Sequence, residues 1–80
     1  MSEGTAKSQV HYQQADIQPI EIMQMCMTPE GFKGFLQGNV LKYSLRYQFK
    51  GQAQSDLQKA AQYLTWLQQV EQGEKINPRV

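Results

Sequence analysis

The stretch GNVLKYSLRYQFKG, from Gly38 to Gly51, decides how this chain is read. Its apolar residues recur at helical spacing, yet Lys42, Arg46 and Lys50 recur every fourth residue among them. Turned at about 100° per residue, the helix gathers Leu36, Val40, Tyr43 and Tyr47 on one side. Leu41, Leu45 and Phe49 gather on another. Gln37, Ser44 and Gln48 fill one narrow strip between these clusters. Asn39, Lys42, Arg46 and Lys50 fill the other. An ordinary surface helix carries a single apolar stripe about 100° wide or more. Two seams predict two packing partners: a helix of the same hairpin, and either a further helix or another subunit.

Working outward, the helix is expected from about Pro29 to about Lys50. Thr28 is its N-cap, Pro29 its first residue and Gly51 the residue just past its end. Gly31, Gly34 and Gly38 each cost about 1 kcal/mol relative to alanine inside a helix. A loop before Phe32, or a close contact at Gly34 and Gly38, would account for them. A short helix precedes, in QPIEIMQMCM, where Pro19 suits the first position and Glu21 the positive end of the dipole. Met23, Met25, Met27 and Cys26 read as adaptable core filling. A third helix is expected from an N-cap at Ser55 to Gly73. Leu57, Ala60, Ala61, Leu64 and Leu67 form its regular core face. Tyr63, Trp66 and Val70 widen the apolar arc, and the excess is expected to meet another subunit. No segment alternates as a strand does, so the fold class is all-α, a small three-helix domain. Residues 1–10 read as a flexible lead-in, 11–73 as the domain and 74–80 as a flexible tail.

Composition narrows the possibilities. An 80-residue chain holds one domain and buries little core, so it commonly needs a staple. Cys26 is the single cysteine, which excludes an internal disulfide. With His11 it falls short of the roughly four ligands of a structural zinc. A homo-oligomer built through the second and third helices is the remaining expectation. No apolar run approaches the roughly 20 residues of a membrane span. MSEGTAKSQ lacks the apolar stretch of a signal peptide. A lone cysteine fits a reducing, cytoplasmic setting.

A formal net charge of +1 argues against an extended nucleic-acid surface, but the charge is unevenly placed. From Lys33 to Lys59 there are five cations (Lys33, Lys42, Arg46, Lys50, Lys59) and one anion, Asp56. An anion is drawn to such a surplus. A cationic strip between two packed seams lies at the mouth of a groove. Arg46 can grip a phosphate with two bonds, while Lys42 and Lys50 act as point charges. The alternative is a solvated face whose long stems cover apolar surface.

Phosphoryl transfer needs neutralised phosphate charge, commonly with Mg²⁺ held by a carboxylate. Asp56 is the best carboxylate for Mg²⁺ or for base duty, with Asp16 and Glu21 behind it. Its alternative role is a helix N-terminal charge worth about 0.3–1 kcal/mol. Gly31, Gly34 and Gly38 are not followed by Lys-Ser or Lys-Thr, so there is no P-loop. His11 is a candidate acid or base, or a partner of Tyr12 in stacking on a base. Tyr43, Tyr63 and Trp66 can stack on a nucleobase or pack as core.

Several blocks together resemble the SaV-like family, a small phage and prophage domain. They are HY at His11–Tyr12, IQPIE at Ile17–Glu21, GNVLKY at Gly38–Tyr43, Arg46, Lys50, and DLQKAAQYLTWL at Asp56–Leu67. The resemblance covers about His11 to Leu67. The loop in QFKGQAQSDL departs from it, being looser than the family's usual turn. One relative in that family is described as a nucleotide kinase acting on deoxynucleoside monophosphates. The resemblance therefore implies a protein of the bacterial host cytoplasm with a nucleotide site at His11, Tyr12, Asn39, Lys42, Arg46, Lys50, Asp56 and Lys59. Three readings follow: a nucleotide kinase without a P-loop, a non-catalytic oligomer that sequesters nucleotides or nucleotide signals, and a helical module for a host protein.

Overall fold

In the computed structural model, residues 17–79 are described, and they form three helices with no strand among them. α1 is Pro19–Cys26, α2 is Pro29–Arg46 and α3 is Ala53–Glu71. The all-α expectation holds. Pro19 and Pro29 each open a helix, where a missing N–H costs nothing. Thr28 caps α2, its Oγ1 accepting from the Gly31 N–H at 3.1 Å. Gly73 ends α3 at φ +86°, a conformation that favours glycine. Around it the Gly73 N–H bonds the Val70 carbonyl and the Glu74 N–H the Gln69 carbonyl, both at 2.9 Å. This double closure satisfies carbonyls that the helix end would otherwise leave open.

The reversal between α2 and α3 lies earlier in the chain than expected. α2 stops at Arg46, not near Lys50, and Phe49 N–H closes on the Arg46 carbonyl at 2.9 Å. Gly51 turns the chain at φ +72°, and α3 begins at Ala53, so Ser55 lies inside the helix instead of capping it. The reversal brings Arg46 and Asp56, ten residues apart, into a two-pronged pair. Arg46 Nε donates to Asp56 Oδ2 at 3.1 Å and Nη2 to Oδ1 at 3.2 Å.

The core is small. Phe32 and Leu36 of α2, Ala60 of α3 and Ile76 of the tail are buried. Ile20, Met23, Phe35, Tyr63, Trp66, Leu67 and Val70 close around the cluster of Phe32, Leu36 and Ile76. The tail expected to be flexible is instead docked. Ile76 is only 5% exposed, and the Gln24 side chain bonds both its N–H (2.8 Å) and its carbonyl (3.3 Å). Arg79 then grips Glu21, at 2.8 and 3.0 Å. A chain this short has too little core to leave an isoleucine in water.

The docked tail and α1 reassign the faces of α3. Tyr63, Trp66 and Val70, expected to meet another subunit, pack inside the chain. Leu57, Ala61 and Leu64, expected in the core, are exposed. On α2 the Leu36 seam packs, whereas Leu41 and Leu45 stay open, as does Phe49 in the turn beyond it. Of the methionine run only Met23 joins the core cluster; Met25 is 81% exposed and Cys26 is exposed as well. Nor do Gly34 and Gly38 mark a close contact, since a Cβ at either would meet nothing within 4 Å.

Candidate functional site

The expected cations converge on one aromatic ring. Lys42 Nζ lies 4.6 Å from the centre of Tyr43, Arg46 Cζ 4.9 Å and Lys59 Nζ 5.3 Å. Two helices supply them, Lys42 and Arg46 from α2 and Lys59 from α3. Among the described residues the one carboxylate at this place is Asp56. It is fully buried, and both its oxygens are taken by Arg46. That pairing raises the Arg46 pKa above its ordinary value and keeps it a cation. Lys42 and Lys59 make no ion pair among the described residues. Three cations facing one carboxylate leave a surplus of two positive charges.

The ring holds the lysines loosely. An exposed cation–aromatic contact is worth about 0.5–1 kcal/mol. A phosphate oxygen about 4 Å from a lysine near a protein surface offers up to about 4 kcal/mol before desolvation. The ring can therefore park Lys42 and Lys59 without competing with an anion.

The other expected residues fall around this cluster or away from it. Asn39 is half-buried, and its Nδ2 donates to the Phe35 carbonyl of its own helix at 2.9 Å. Lys50 leaves the strip because α2 ends before it, and it sits exposed in the bend. His11, Tyr12 and Asp16 lie outside the described residues. Glu21 is engaged by the Gln18 N–H and by Arg79, contacts that hold its carboxyl below the usual range. Among the described residues the donor set does not suit a protein-held Mg²⁺. Asp56 would have to break its fork with Arg46 to offer an oxygen, and no group of three His, Cys, Asp or Glu side chains converges among the described residues. The buried pairing favours a structural role for Asp56 over the expected role as base.

Aromatic side chains extend the cluster. Tyr43 stacks on Tyr63 (centroids 5.9 Å, planes 13° apart), and Tyr63 meets Trp66 edge-on at 5.4 Å and Phe35 at 6.1 Å. Burial, with Tyr43 beside it, raises the Tyr63 pKa above its ordinary value, so its hydroxyl stays protonated. The sequence identified Tyr43, Tyr63 and Trp66 as stacking candidates, but not that they form one row. A groove of about 580 Å³ lies elsewhere, between Glu30, Lys33, Gly34 and Gln37 of α2 and Leu64, Leu67 and Glu71 of α3. Its cation, Lys33, is already bound to Glu71 at 3.0 Å and near Glu30 at 3.8 Å, so that groove has no charge to spare for an anion.

Comparison with known proteins places the chain. It is 41% identical over 64 residues to the nucleotide kinase gp1.7 of Escherichia phage T7, a match covering 76% of this chain and 33% of that protein. It is 42% identical over 57 residues to the gene 1.7 protein of Enterobacteria phage T3, covering 66% and 35%. The chain thus spans about a third of the length of these curated relatives. No solved structure matches it significantly. The family model of DUF3310, a protein of unknown function, matches residues 6–65, in accord with the resemblance carried by GNVLKY and DLQKAAQYLTWL. On that match, over most of its length, the chain belongs to the DUF3310 family.

Proposed function

We propose that this protein binds the phosphate of a nucleotide at the Lys42–Arg46–Lys59 cluster and acts as a nucleotide kinase of the kind its phage T7 relative is named for. The observation that carries the reading is the convergence of three cations from two helices on Tyr43, with one carboxylate among them. Its chemical contribution is charge neutralisation at a transferring phosphoryl group. Lys42 and Lys59 swing from the ring to the phosphate, and Arg46 offers what its fork with Asp56 leaves free. No step is assigned to a metal held by this chain's carboxylates.

The test is calorimetry with nucleoside mono-, di- and triphosphates, with and without Mg²⁺, on the wild type and on Lys42→Ala and Lys59→Ala. Both variants should fold, because neither lysine holds an ion pair, and each should weaken binding about tenfold or more. Chromatography of the same mixtures for new phosphorylated products separates transfer from sequestration. Undiminished binding in both variants would refute the site. Arg46→Ala is a poor probe, since it strands Asp56.

We also propose that a second copy covers the open face of the hairpin. Gly34 and Gln37 of α2 and Leu64 of α3 border one groove. Continued toward the turn at helical spacing, these rows give Leu41 and Leu45 beside Leu57 and Ala61, all exposed. A monomer gains nothing by presenting these to water, and the same patch on two copies can pair about a two-fold axis. Light scattering should give a multiple of the 9.2 kDa chain, and Leu45→Glu should return it to one; a wild-type monomer at high concentration would refute the pairing.

A further inference from the structure

A cleft of about 290 Å³ opens beside the cation cluster, between α1 and the hairpin. Pro19, Ile20 and Met23 form one wall; Phe35, Tyr63 and Trp66 form the other. We infer that this cleft is the base subsite of the nucleotide whose phosphate the cluster binds, an assignment that rests on the phosphate reading above.

Three observations carry it. The first is alignment. On α2, Phe35, Asn39, Lys42 and Arg46 follow one another at helical spacing, and on α3 so do Trp66, Tyr63, Lys59 and Asp56. The two helices run antiparallel, so the rows face each other, charged at the hairpin end and aromatic at the α1 end. The second is continuity. Tyr43 carries the cations and stacks on Tyr63, which itself lines the cleft and touches Trp66. One ring spacing of 5.9 Å separates the phosphate end from the cleft wall, and a further 5.4 Å reaches Trp66. A sugar bridges such a gap between phosphate and base. The third is chemistry. Apart from Gln18, which also lines it, the walls are apolar and aromatic, with methionine and isoleucine opposite the rings, and a flat base enclosed between them is desolvated on its faces. The volume sits at the small end of the roughly 300–1,000 Å³ typical of ligand pockets. It suits a base, not a whole nucleotide, which leaves the phosphate to the cluster outside. Stacking of this kind tolerates any base, because each has a π face.

Trp66 is the only tryptophan in the chain, so its fluorescence reports on the cleft directly. It should be excited at the red edge, beyond nucleotide absorption, while nucleoside 5′-monophosphates, free nucleosides and ribose 5-phosphate are titrated in turn. Calorimetry on the same solutions reads total binding. Nucleoside monophosphates should quench Trp66 in step with the calorimetric isotherm. Ribose 5-phosphate should bind about tenfold or more weakly and leave the emission unchanged. Ile20→Phe, which crowds the cleft from α1, should lower nucleotide affinity and spare ribose 5-phosphate. Equal affinity for nucleotide and ribose 5-phosphate, with Trp66 unmoved, would overturn the base subsite and leave the phosphate site standing. Quenching by nucleosides and nucleotides alike, insensitive to Lys59→Ala, would keep the base subsite and overturn the phosphate site. Binding of none of the three would overturn both.

Discussion

Asp56→Asn is the substitution that separates the two roles open to that carboxylate. Asp56 is fully buried, and its oxygens meet Nε and Nη2 of Arg46 at 3.1 and 3.2 Å. Asparagine keeps the shape and deletes the charge. Removing one partner of a buried ion pair costs about 3–5 kcal/mol. Arg46 retains 34% side-chain exposure, so it can partly rehydrate and the lower end applies. Loss of a negative charge in the first turn of α3 adds about 0.5 kcal/mol. A total near 3.5 kcal/mol is a large share of the roughly 4–12 kcal/mol available to a chain of this size. With a urea slope of about 1 kcal/mol per M for a small domain, the midpoint should fall by about 3.5 M. Circular dichroism at one fixed protein concentration reads it, since any self-association makes stability depend on concentration.

The double variant Arg46→Met/Asp56→Leu supplies the control. Replacing both members of a buried pair by apolar residues is often neutral, so the double variant should regain most of the lost stability. Suppose instead that Asp56→Asn moved the midpoint by less than about 0.5 M while nucleotide turnover vanished. The carboxylate would then serve chemistry, and the structural account would be wrong.

Three further outcomes test the remaining contacts. Ile76→Ala should cost about 2–3 kcal/mol, toward the low end for a buried large-to-small change, and should expose the tail to protease; an unchanged urea midpoint would mean the tail does not hold the core. Glu21 has a folded pKa below its ordinary 4.5, first because it accepts from the Gln18 N–H and then because of Arg79. Its contribution is therefore complete above about pH 4.5 and lost as pH falls through the lowered value. The protection factor of the Ile76 amide, exchange corrected for its intrinsic pH dependence, should stay level above that point and fall below it, and Glu21→Gln should flatten the profile. Gly38→Ala should stabilise the monomeric chain by about 0.5–1 kcal/mol, because a Cβ there meets nothing within 4 Å; a lower melting temperature would show that α2 is not free at that position.

The parts of this molecule that sequence reveals are those set by neighbours along the chain. Pro19, Thr28, Pro29 and Gly73 act within a few residues of themselves, and each stands where local chemistry puts it; Gly51 does adopt a positive φ, but in the turn, five residues past the end of α2. The parts it conceals depend on which face meets which. Helical spacing on α3 cannot say whether Leu64 or Trp66 turns inward. That choice falls to α1 and to Ile76, whose burial nothing in a polar tail announces. The same limit governs the site. Lys42 and Arg46 are visible as a strip on one helix, but the contribution of Lys59 depends on how α3 is set against α2. Arg46 and Asp56 fix that setting. By drawing the last turn of α2 onto the first turn of α3, their fork sets the register of the hairpin. It places Lys59 opposite Lys42, and Tyr63 under Tyr43. A cation spent on a buried carboxylate looks like a loss to an anion site. Here it aligns two lysines from different helices on a single ring, at the end of an aromatic row that neither helix could build alone.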